Sequence, residues 1–421
     1  MMKFSYPKTF LLGFGFFGVS VIWSIYNAYV PVFLQDRFLL ASGFIGMFMT
    51  LDNIAALFIQ PAVGTWSDNV RTRIGRRLPF ILIGAPVSAL AFIFLPLATS
   101  LFLFFLSALM LLLGMAIWRT PVVALMPDIT PSEHRSVANG IINLMGGLGS
   151  IIAFLGGAVL YDMNPEYPFL LGSILVVIAA VLVFIFIREP KVYPPANEDR
   201  PNLIKSVKGL FTAEEKSPLL VLLAILFWFI AYNGIESFFT LYVVNYLGLK
   251  ASDGARLLGQ LSVLFVLFAL PAGYIGKAIG RRTTIMIGIA LMTVGIGSIY
   301  FLPSEVLTHV LTKLPGVGQV PVVGLILMGL GIAWACININ SLPMVVDMTD
   351  DMHIGTFTGL YYLFSTVAAI LGPNVYGWII QLTGNRFQLI FLVGPIFLVL
   401  AILCMAFVKR GEARKALPTL K

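Results

Sequence analysis

The sequence contains few charged residues and almost no cysteine or histidine. Only 11% of its 421 residues are Asp, Glu, Lys or Arg, and it has two cysteines and three histidines. A soluble globular chain carries about 25% charged residues, so this chain lacks the side chains that would cover a surface exposed to water. Cys336 and Cys404 lie inside apolar runs, without CxxC or Cys/His spacing. A disulfide framework and a cysteine-based metal site are therefore excluded.

Sequence patterns typical of enzymes are also missing. There is no glycine-rich nucleotide loop, catalytic triad or zinc-site spacing. The long polar stretch at 188–217 is too short to form a catalytic domain. We therefore expect no enzyme activity, no cofactor and no metal. The net charge of +8 would suit nucleic-acid binding in a soluble protein. In a chain this apolar, membrane orientation explains the charge, and no nucleic-acid partner is expected.

Long apolar runs dominate the chain, of which 59% is hydrophobic. A bilayer core takes about 20 apolar residues per helix. Runs of this length, numbered 1 to 12 in chain order, occur at 10–34, 42–66, 79–97, 102–126, 137–160, 168–187, 218–246, 255–277, 284–302, 320–345, 355–381 and 386–408. The sequence predicts an all-α membrane protein with twelve transmembrane helices. Its expected domains are an N-terminal six-helix bundle (1–187), a cytoplasmic central loop (188–217) and a C-terminal six-helix bundle with a short tail (218–421).

The distribution of basic residues predicts the orientation. With the N-terminus inside the cell, the cytoplasmic loops collect most of the 27 Lys and Arg residues. The opposite side holds Arg37, Lys250, Arg256, Lys313 and Arg386. Such a bias places both termini in the cytoplasm. We expect a multi-pass protein of the bacterial inner (cell) membrane, embedded as a monomer in the lipid bilayer.

Three short patterns recur in the same order in the two halves. They are Tyr26-Asn27-Ala28 with Tyr232-Asn233-Gly234, Gly75-Arg76-Arg77 with Gly280-Arg281-Arg282, and Met126-Pro127-Asp128-Ile129-Thr130 with Val345-Val346-Asp347-Met348-Thr349. Each match alone is weak, but their common order predicts a six-plus-six duplication. Such halves place a substrate site between two rocking bundles in many transporters.

The segment from Gly64-Thr65-Trp66-Ser67-Asp68 to Arg73-Ile74-Gly75-Arg76-Arg77 resembles the helix 2–3 loop signature of the major facilitator superfamily. The longer pattern from Gln60 to Ile81, with 121–128 and 135–140, is similar to the sucrose-transporter branch of the glycoside–pentoside–hexuronide:cation symporters. The resemblance implies the major facilitator fold of two six-helix bundles and alternating access. It also implies sugar uptake driven by protons or sodium.

Asp52 and Glu236 are the candidates for ion coupling. Where melibiose-type carriers of this family have helix 2 carboxylates, this sequence has Ala56 and Gln60, and Leu112 stands where plant sucrose carriers have a helix 4 acid. Ionisable groups inside a bilayer cost several kcal/mol and normally serve a function or pair with a partner. Asp52 and Glu236 lie at similar depth in helices 2 and 7. The alternative is that both are buried structural acids. A proton is favoured over sodium because Asn53 is the only obvious additional ligand.

Polar and aromatic side chains of helices 1, 2, 4, 7, 10 and 11 are the candidate substrate-binding residues, and those of helices 2, 7 and 10 share one face of their helix. They are Tyr26, Asn27, Asn53, Gln60, Arg119, Asn233, Ser237, Trp334, Asn338 and Tyr361. Amides and hydroxyls pair with sugar hydroxyls, while aromatic rings cover the apolar ring face. The alternative for each aromatic side chain is ordinary packing. For Arg119 it is a structural role with the head group reaching the membrane interface.

Charged residues near the cytoplasmic ends of helices 2 and 4 are candidate gating residues. Asp68 ends helix 2, where it can meet Arg76, Arg77 or the N-terminus of another helix. Asp128 and Arg135 can form a similar network in the helix 4–5 loop. The alternative is that these charges only set the topology.

The favoured function is a secondary carrier that takes up a sugar, a glycoside or disaccharide, together with a cation. Other carrier functions remain open, namely an exporter, a carrier of amphiphiles such as lysolipids, and an ion-independent sugar uniporter. A membrane-embedded enzyme or a sensor is disfavoured, because neither a cluster of His, Asp or Glu nor a long cytoplasmic domain is present.

Overall fold

The computed structural model describes residues 5–130, 134–189, 203–212, 214–349 and 354–411. Within them, twelve helices are long and apolar enough to cross a membrane, which confirms the predicted all-α architecture. Helices 1 to 12 span Tyr6–Asp36, Ser42–Asn69, Leu78–Leu97, Leu101–Ile129, Val137–Met163, Tyr167–Phe186, Ser217–Asn245, Ala251–Ile279, Arg281–Phe301, Val322–Val346, Gly355–Leu382 and Phe387–Ala406.

Shorter elements connect some of these helices. A helix at Leu203–Thr212 lies in the stretch predicted as a polar loop. Between helices 9 and 10, a short helix at Ser304–Thr308 precedes the hairpin of β1 (Val310–Leu314) and β2 (Gly318–Pro321). All five residues of β1 are exposed, including the apolar Val310, Leu311 and Leu314.

Helices 2 and 5 are not regular α-helices throughout. Helix 2 consists of Ser42–Phe48 and Leu51–Asn69, and the Thr50 hydroxyl donates to the Met47 carbonyl, 2.7 Å away, at the break. Asp52 therefore lies in the first turn of the second segment, where the positive end of the helix dipole favours a negative charge. Helix 5 contains a π-helical turn at Ile152–Gly156. Such turns occur often at functional sites.

The described chain separates into two compact units. The first comprises residues 1–197, 239–262 and 314–318, and the second comprises 198–238, 263–313 and 319–421. In the first unit, helix 1 packs against helices 5 and 6, and helix 4 packs against helices 2 and 3. Gly84 allows helix 3 to approach helix 4, since an added Cβ there would lie 2.7 Å from the Trp118 backbone nitrogen. Small residues commonly permit such close packing between membrane helices.

In the second unit, helix 9 packs against helices 10 and 12, and helix 10 packs against helix 11. Helix 7 meets helix 11 at two glycines. A Cβ on Gly372 would lie 2.9 Å from the Gly234 nitrogen, and a Cβ on Gly234 would lie 2.4 Å from the Tyr376 ring. Gly234 directly follows Tyr232 and Asn233, so helix 7 approaches helix 11 closely at this part of its length.

We expect Gly234→Ala to lower the thermal midpoint of the protein purified in detergent. The new methyl group cannot fit beside the buried Tyr376 ring without a shift, and overpacking of this kind costs about 1–3 kcal/mol. Gly140→Ala is the matched control, because it is also in a helix and has nothing within 4 Å of the added Cβ. Both variants gain the same helix propensity. Equal midpoints for the two variants would contradict the proposed close contact.

Candidate functional site

In the first unit, helices 1, 2 and 4 bring polar side chains together around Asp52. The Asn53 amide donates to the Asp52 carboxylate over 2.9 Å. Arg119 on helix 4 interacts electrostatically with Asp52, and Asp52 in turn interacts with the hydroxyl of Tyr26 on helix 1. The Asp52 carboxylate is thus within electrostatic reach of both an arginine and a phenol.

Tyr26 is the most buried member of this group. It is 1% exposed, its ring meets Trp23 edge to face at 5.5 Å, and its hydroxyl has no hydrogen-bond partner among the described residues. A buried hydroxyl without a partner is costly, so it is available to donate to a carboxylate or a bound solute. Asn27 and Gln60 are partly buried on helices 1 and 2, and no contact described in this structure joins them to the Asp52 group.

In the second unit, helices 7, 10 and 11 form an aromatic cluster. The Tyr232 and Trp334 rings stack with centroids 4.2 Å apart and an interplanar angle of 8°. Phe229 meets Trp334 edge to face at 5.4 Å and meets Tyr361 at 6.4 Å. Trp334 is 5% exposed, whereas Tyr232 is only partly buried. The cluster therefore forms an aromatic surface in which several rings pack against one another, rather than a single isolated ring.

Helices 7, 10 and 11 also carry polar groups. The Tyr361 and Ser341 hydroxyls are hydrogen-bonded at 3.1 Å, and Ser341 also donates to the Asn338 carbonyl at 2.9 Å. Glu236 interacts electrostatically with the Tyr232 hydroxyl. The Asn233 amide donates to a backbone carbonyl of its own helix, and Ser237 is buried one turn further along. The second unit therefore combines an apolar ring surface with hydroxyl, amide and carboxylate groups.

Sequence reasoning selected Trp334 and Tyr361 here but not Tyr232 or Phe229. The sequence could have identified Tyr232, because in the repeated pattern it occupies the position that Tyr26 occupies in the first half. Asn340, also on helix 10, is not part of this cluster. Its amide donates to the Ala272 carbonyl at 3.0 Å and so links helices 10 and 8.

Four charged side chains form a compact group where helix 2 ends and helix 3 begins. Asp128 accepts from Arg76 at 2.7 Å and from Arg77 at 3.1 Å, and Asp68 accepts from Arg77 at 2.5 Å. Arg77 also donates to the Ser67 hydroxyl, and its side chain is only 5% exposed. We call Asp68, Arg76, Arg77 and Asp128 the four-charge cluster.

Asp128 does not lie in the helix 4–5 loop, where the sequence placed it. Helix 4 continues to Ile129, so Asp128 is in the last turn of that helix. There it pairs with Arg76 and Arg77. The side chain of Arg135, its predicted partner, lies outside the described residues.

Glu189, which sequence reasoning missed, completes this region. Its carboxylate accepts from the backbone nitrogens of Arg76, Arg77 and Leu78 at 2.9, 2.8 and 2.7 Å. It therefore satisfies free N–H groups at the start of helix 3. Gly75 has φ +125°, and an added Cβ would lie 2.4 Å from the Glu189 carboxyl carbon. The sequence feature that could have pointed to Glu189 is its place as an acidic residue shortly after helix 6.

The second half repeats part of this arrangement. Gly280 also has a positive φ, +96°, and Arg281 pairs with Asp347 as Arg76 pairs with Asp128. Arg282 differs from Arg77, because it donates to the Met405 and Ala406 carbonyls at the end of helix 12, at 3.0 and 2.6 Å. These shared pairings support the predicted duplication.

Comparisons with known proteins agree with this architecture. The chain is 22% identical over 412 residues to tetracycline resistance protein, class H, of Pasteurella multocida, covering 95% of this chain and 94% of that protein. It is 24% identical over 300 residues to the isoprimeverose transporter of Lactiplantibacillus pentosus, covering 66% of this chain and 61% of that protein.

The crystal structure of the nucleoside transporter NupG has the same fold. Its TM-score is 0.74 at 15% identity, over 96% of this chain and 100% of that chain. The sequence profile of the Major Facilitator Superfamily matches residues 12–303 and 257–420. The chain therefore belongs to the Major Facilitator Superfamily and is a multi-pass membrane transporter of small molecules.

Proposed function

We propose that the protein is a secondary active transporter that takes up a glycoside or disaccharide together with a proton by alternating access. The observation that carries this proposal is the stacked Tyr232–Trp334 pair, which Phe229 connects to Tyr361 and to the hydroxyl that bonds to Tyr361, that of Ser341. A sugar ring has an apolar face and an edge of hydroxyls, and it needs both kinds of surface. The protein acts as a monomer in the bacterial cell membrane, with both termini in the cytoplasm, and it does not alter the solute chemically.

Each unit carries its own candidate groups for binding a sugar. In the second unit, Trp334 and Tyr361 offer ring faces, and Asn233, Ser237 and Asn338 are polar residues of helices 7 and 10. In the first unit, the buried hydroxyl of Tyr26 and the guanidinium of Arg119 supply hydrogen-bond donors. Asn27, Asn53 and Gln60 add amides on helices 1 and 2.

Asp52 is the proposed proton carrier, with Glu236 as its counterpart in the second half. The ionised Asp52 carboxylate attracts Arg119, and protonation removes that attraction. Arg119 and Tyr26 can then bind the solute in place of the Asp52 charge. Proton binding and sugar binding are thereby coupled through side chains that already lie within electrostatic reach. Glu236 likewise interacts electrostatically with Tyr232, which lies one turn away on helix 7.

The four-charge cluster is the proposed gate on the cytoplasmic side, and Arg135 stays a further candidate for gating. We expect Asp68→Asn to shift the population toward the inward-open state by about 1–3 kcal/mol, the value of a charge-assisted hydrogen bond. Labelling of an introduced cysteine by a reagent applied from the cytoplasmic side measures this shift. Glu166→Gln, at the start of helix 6 on the other side of the membrane, is the control. Unchanged labelling in Asp68→Asn would contradict the gate.

Counterflow of labelled glycosides and disaccharides in proteoliposomes, with pH and sodium varied separately, tests the proposed function. We expect exchange of a sugar and its accumulation when the exterior is made acidic. Stimulation by sodium alone would assign the coupling ion to sodium, and exchange without any ion dependence would make the protein a uniporter.

An exporter is the second candidate function, because the chain aligns over 95% of its length with a tetracycline resistance protein. Expression in drug-sensitive cells separates the two functions. Lower intracellular drug together with no sugar counterflow would replace the sugar proposal with export.

A further inference from the structure

The connection between helices 9 and 10 lies on the side of the membrane opposite the four-charge cluster. It follows an odd-numbered helix, whereas the loop between helices 2 and 3 follows an even-numbered one, and successive helices cross the membrane in opposite directions. The connection contains the short helix Ser304–Thr308 and the hairpin of β1 and β2. Its first part, up to Lys313, belongs to the second compact unit.

Helix 9, which precedes this connection, has a lipid-facing stripe. Its exposed apolar residues recur at the spacing of one helix face. The last of them, Phe301, is also the last residue of the helix and is 78% exposed. Phe301 therefore lies near the boundary between the apolar core of the bilayer and the headgroups. The stripe includes Ile287, Leu291, Val294 and Phe301.

Three more apolar side chains follow Phe301 in the chain and are exposed as well. Val306 is 41% exposed, Val310 44% and Leu311 50%. Val310 and Leu311 begin β1, and successive side chains of a strand point to opposite faces. Both faces of the strand are thus apolar and uncovered at this point. An isolated pair of strands is only marginally stable in water, so this hairpin gains stability from contact with an apolar medium.

The base of the hairpin is held at the level of the helix ends. Leu307 is fully buried, and its short helix packs against helix 10. The backbone nitrogen of Val322, the first residue of helix 10, donates to the His309 carbonyl, 3.0 Å away. Val310 directly follows His309, so it lies at the depth at which helix 10 begins. The exposed apolar side chains therefore lie at the membrane boundary.

We propose that Phe301, Val306, Val310, Leu311 and Lys313 form an interfacial patch that inserts into the phospholipid headgroup layer opposite the four-charge cluster. The apolar members enter the boundary between headgroups and acyl chains, as the apolar faces of interfacial helices do. Lys313 is exposed on β1, and its long side chain can place the ammonium group beside a lipid phosphate. Leu311 and Lys313 share one face of the strand, so that face makes both kinds of contact.

Lipid is the occupant that fits this patch because the patch continues the lipid-facing stripe of helix 9. Its apolar side chains match the acyl chains of a phospholipid, and Lys313 matches the phosphate. Insertion has a consequence for the rest of the second unit. Helix 10 begins directly after β2 and carries Trp334, so an anchored hairpin fixes the depth of helix 10 in the bilayer.

Electron paramagnetic resonance of nitroxide labels tests the patch on the full chain in vesicles of phosphatidylethanolamine and phosphatidylglycerol. The label is attached to a single cysteine at Leu311, Glu305 or Leu307, in a protein without Cys336 and Cys404. Glu305 is exposed in the same connection and serves as the water-facing control, whereas Leu307 is buried and serves as the control for protein packing. Collision rates with lipid-soluble oxygen and with a water-soluble nickel complex are compared.

We expect the ratio of oxygen to nickel collisions to be several-fold higher at Leu311 than at Glu305. Equal ratios at these two positions would overturn the interfacial patch. Low collision rates with both reagents, as at Leu307, would also overturn it, because protein, such as a second copy of the chain, would then cover the strand. If Leu311→Cys does not fold, the same comparison at Val310 decides between these outcomes.

Lys313→Glu tests the contact with phosphate. In the parent protein, the label at Leu311 should lie deeper in vesicles that contain anionic phosphatidylglycerol than in vesicles of phosphatidylcholine alone. Lys313→Glu should remove this difference, whereas Lys250→Glu, an exposed lysine on the same side of the membrane, should retain it. The same depth in both lipids for the parent, or an unchanged difference in Lys313→Glu, would reject the phosphate contact. None of these measurements uses a sugar, so failure of the patch is distinguishable from failure of the proposed transport.

Discussion

Asp52→Asn is expected to abolish proton-driven accumulation of the sugar while leaving sugar exchange partly intact. Asparagine keeps the size and the hydrogen-bonding capacity of the side chain beside Asn53, but it cannot bind or release a proton. It also removes the negative charge that faces Arg119. Exchange requires only that the loaded carrier reorients, whereas accumulation requires the ion. The measurement is uptake by proteoliposomes against a sugar gradient, with and without an imposed pH difference.

Two further variants define how this result is interpreted. Glu236→Gln tests the counterpart carboxylate in the second unit and is expected to weaken accumulation in the same assay. Asp36→Asn, at the end of helix 1 and away from Asp52, is the control and should accumulate sugar normally. If both Asp52→Asn and Glu236→Gln still concentrate sugar under a proton gradient, neither residue carries the ion. Loss of exchange together with accumulation would assign Asp52 to the sugar site instead.

Arg77→Met is expected to lower the stability of the fold more than replacement of any other member of the four-charge cluster. The Arg77 side chain is 5% exposed and bonds to Asp68, Asp128 and Ser67. Methionine fills a similar volume, but it removes one of the cations that pair with Asp68 and Asp128. Removing one partner of a buried ion pair typically costs about 3–5 kcal/mol, because the remaining charge is desolvated without compensation. Thermal unfolding of the purified protein in detergent measures the effect.

Arg71→Met is the matched control for this prediction. Arg71 belongs to the same helix 2–3 loop, but it is exposed and bonds to backbone carbonyls of Asp68 and Val70. We expect its thermal midpoint to stay near that of the wild type, since exposed charged groups contribute about 1 kcal/mol or less. A similar midpoint for Arg77→Met would show that the four-charge cluster does not stabilise the fold, and the gate would then lack its structural basis.

The number of helices could be predicted from the sequence because hydropathy depends only on residues that are neighbours in the chain. An apolar run long enough to cross the bilayer must form a helix there, since no other local structure satisfies its backbone hydrogen bonds in lipid. The proximity of Asp68 to Arg76 and Arg77 was predictable for a related reason, because a short loop keeps the end of one helix near the start of the next. The recurring tyrosine, arginine and aspartate patterns also identified equivalent positions in the two halves.

The pairings between distant segments were decided only by the tertiary structure. Glu189 binds the start of helix 3 across more than one hundred residues, and Tyr232 stacks on Trp334 across a similar separation. The break before Asp52 and the π-turn facing Gly259 are likewise absent from the hydropathy pattern. Such contacts depend on how each helix is rotated about its axis. In a bilayer that rotation is set by close packing and a few polar bonds, because lipid offers an apolar face the same environment as a neighbouring helix does.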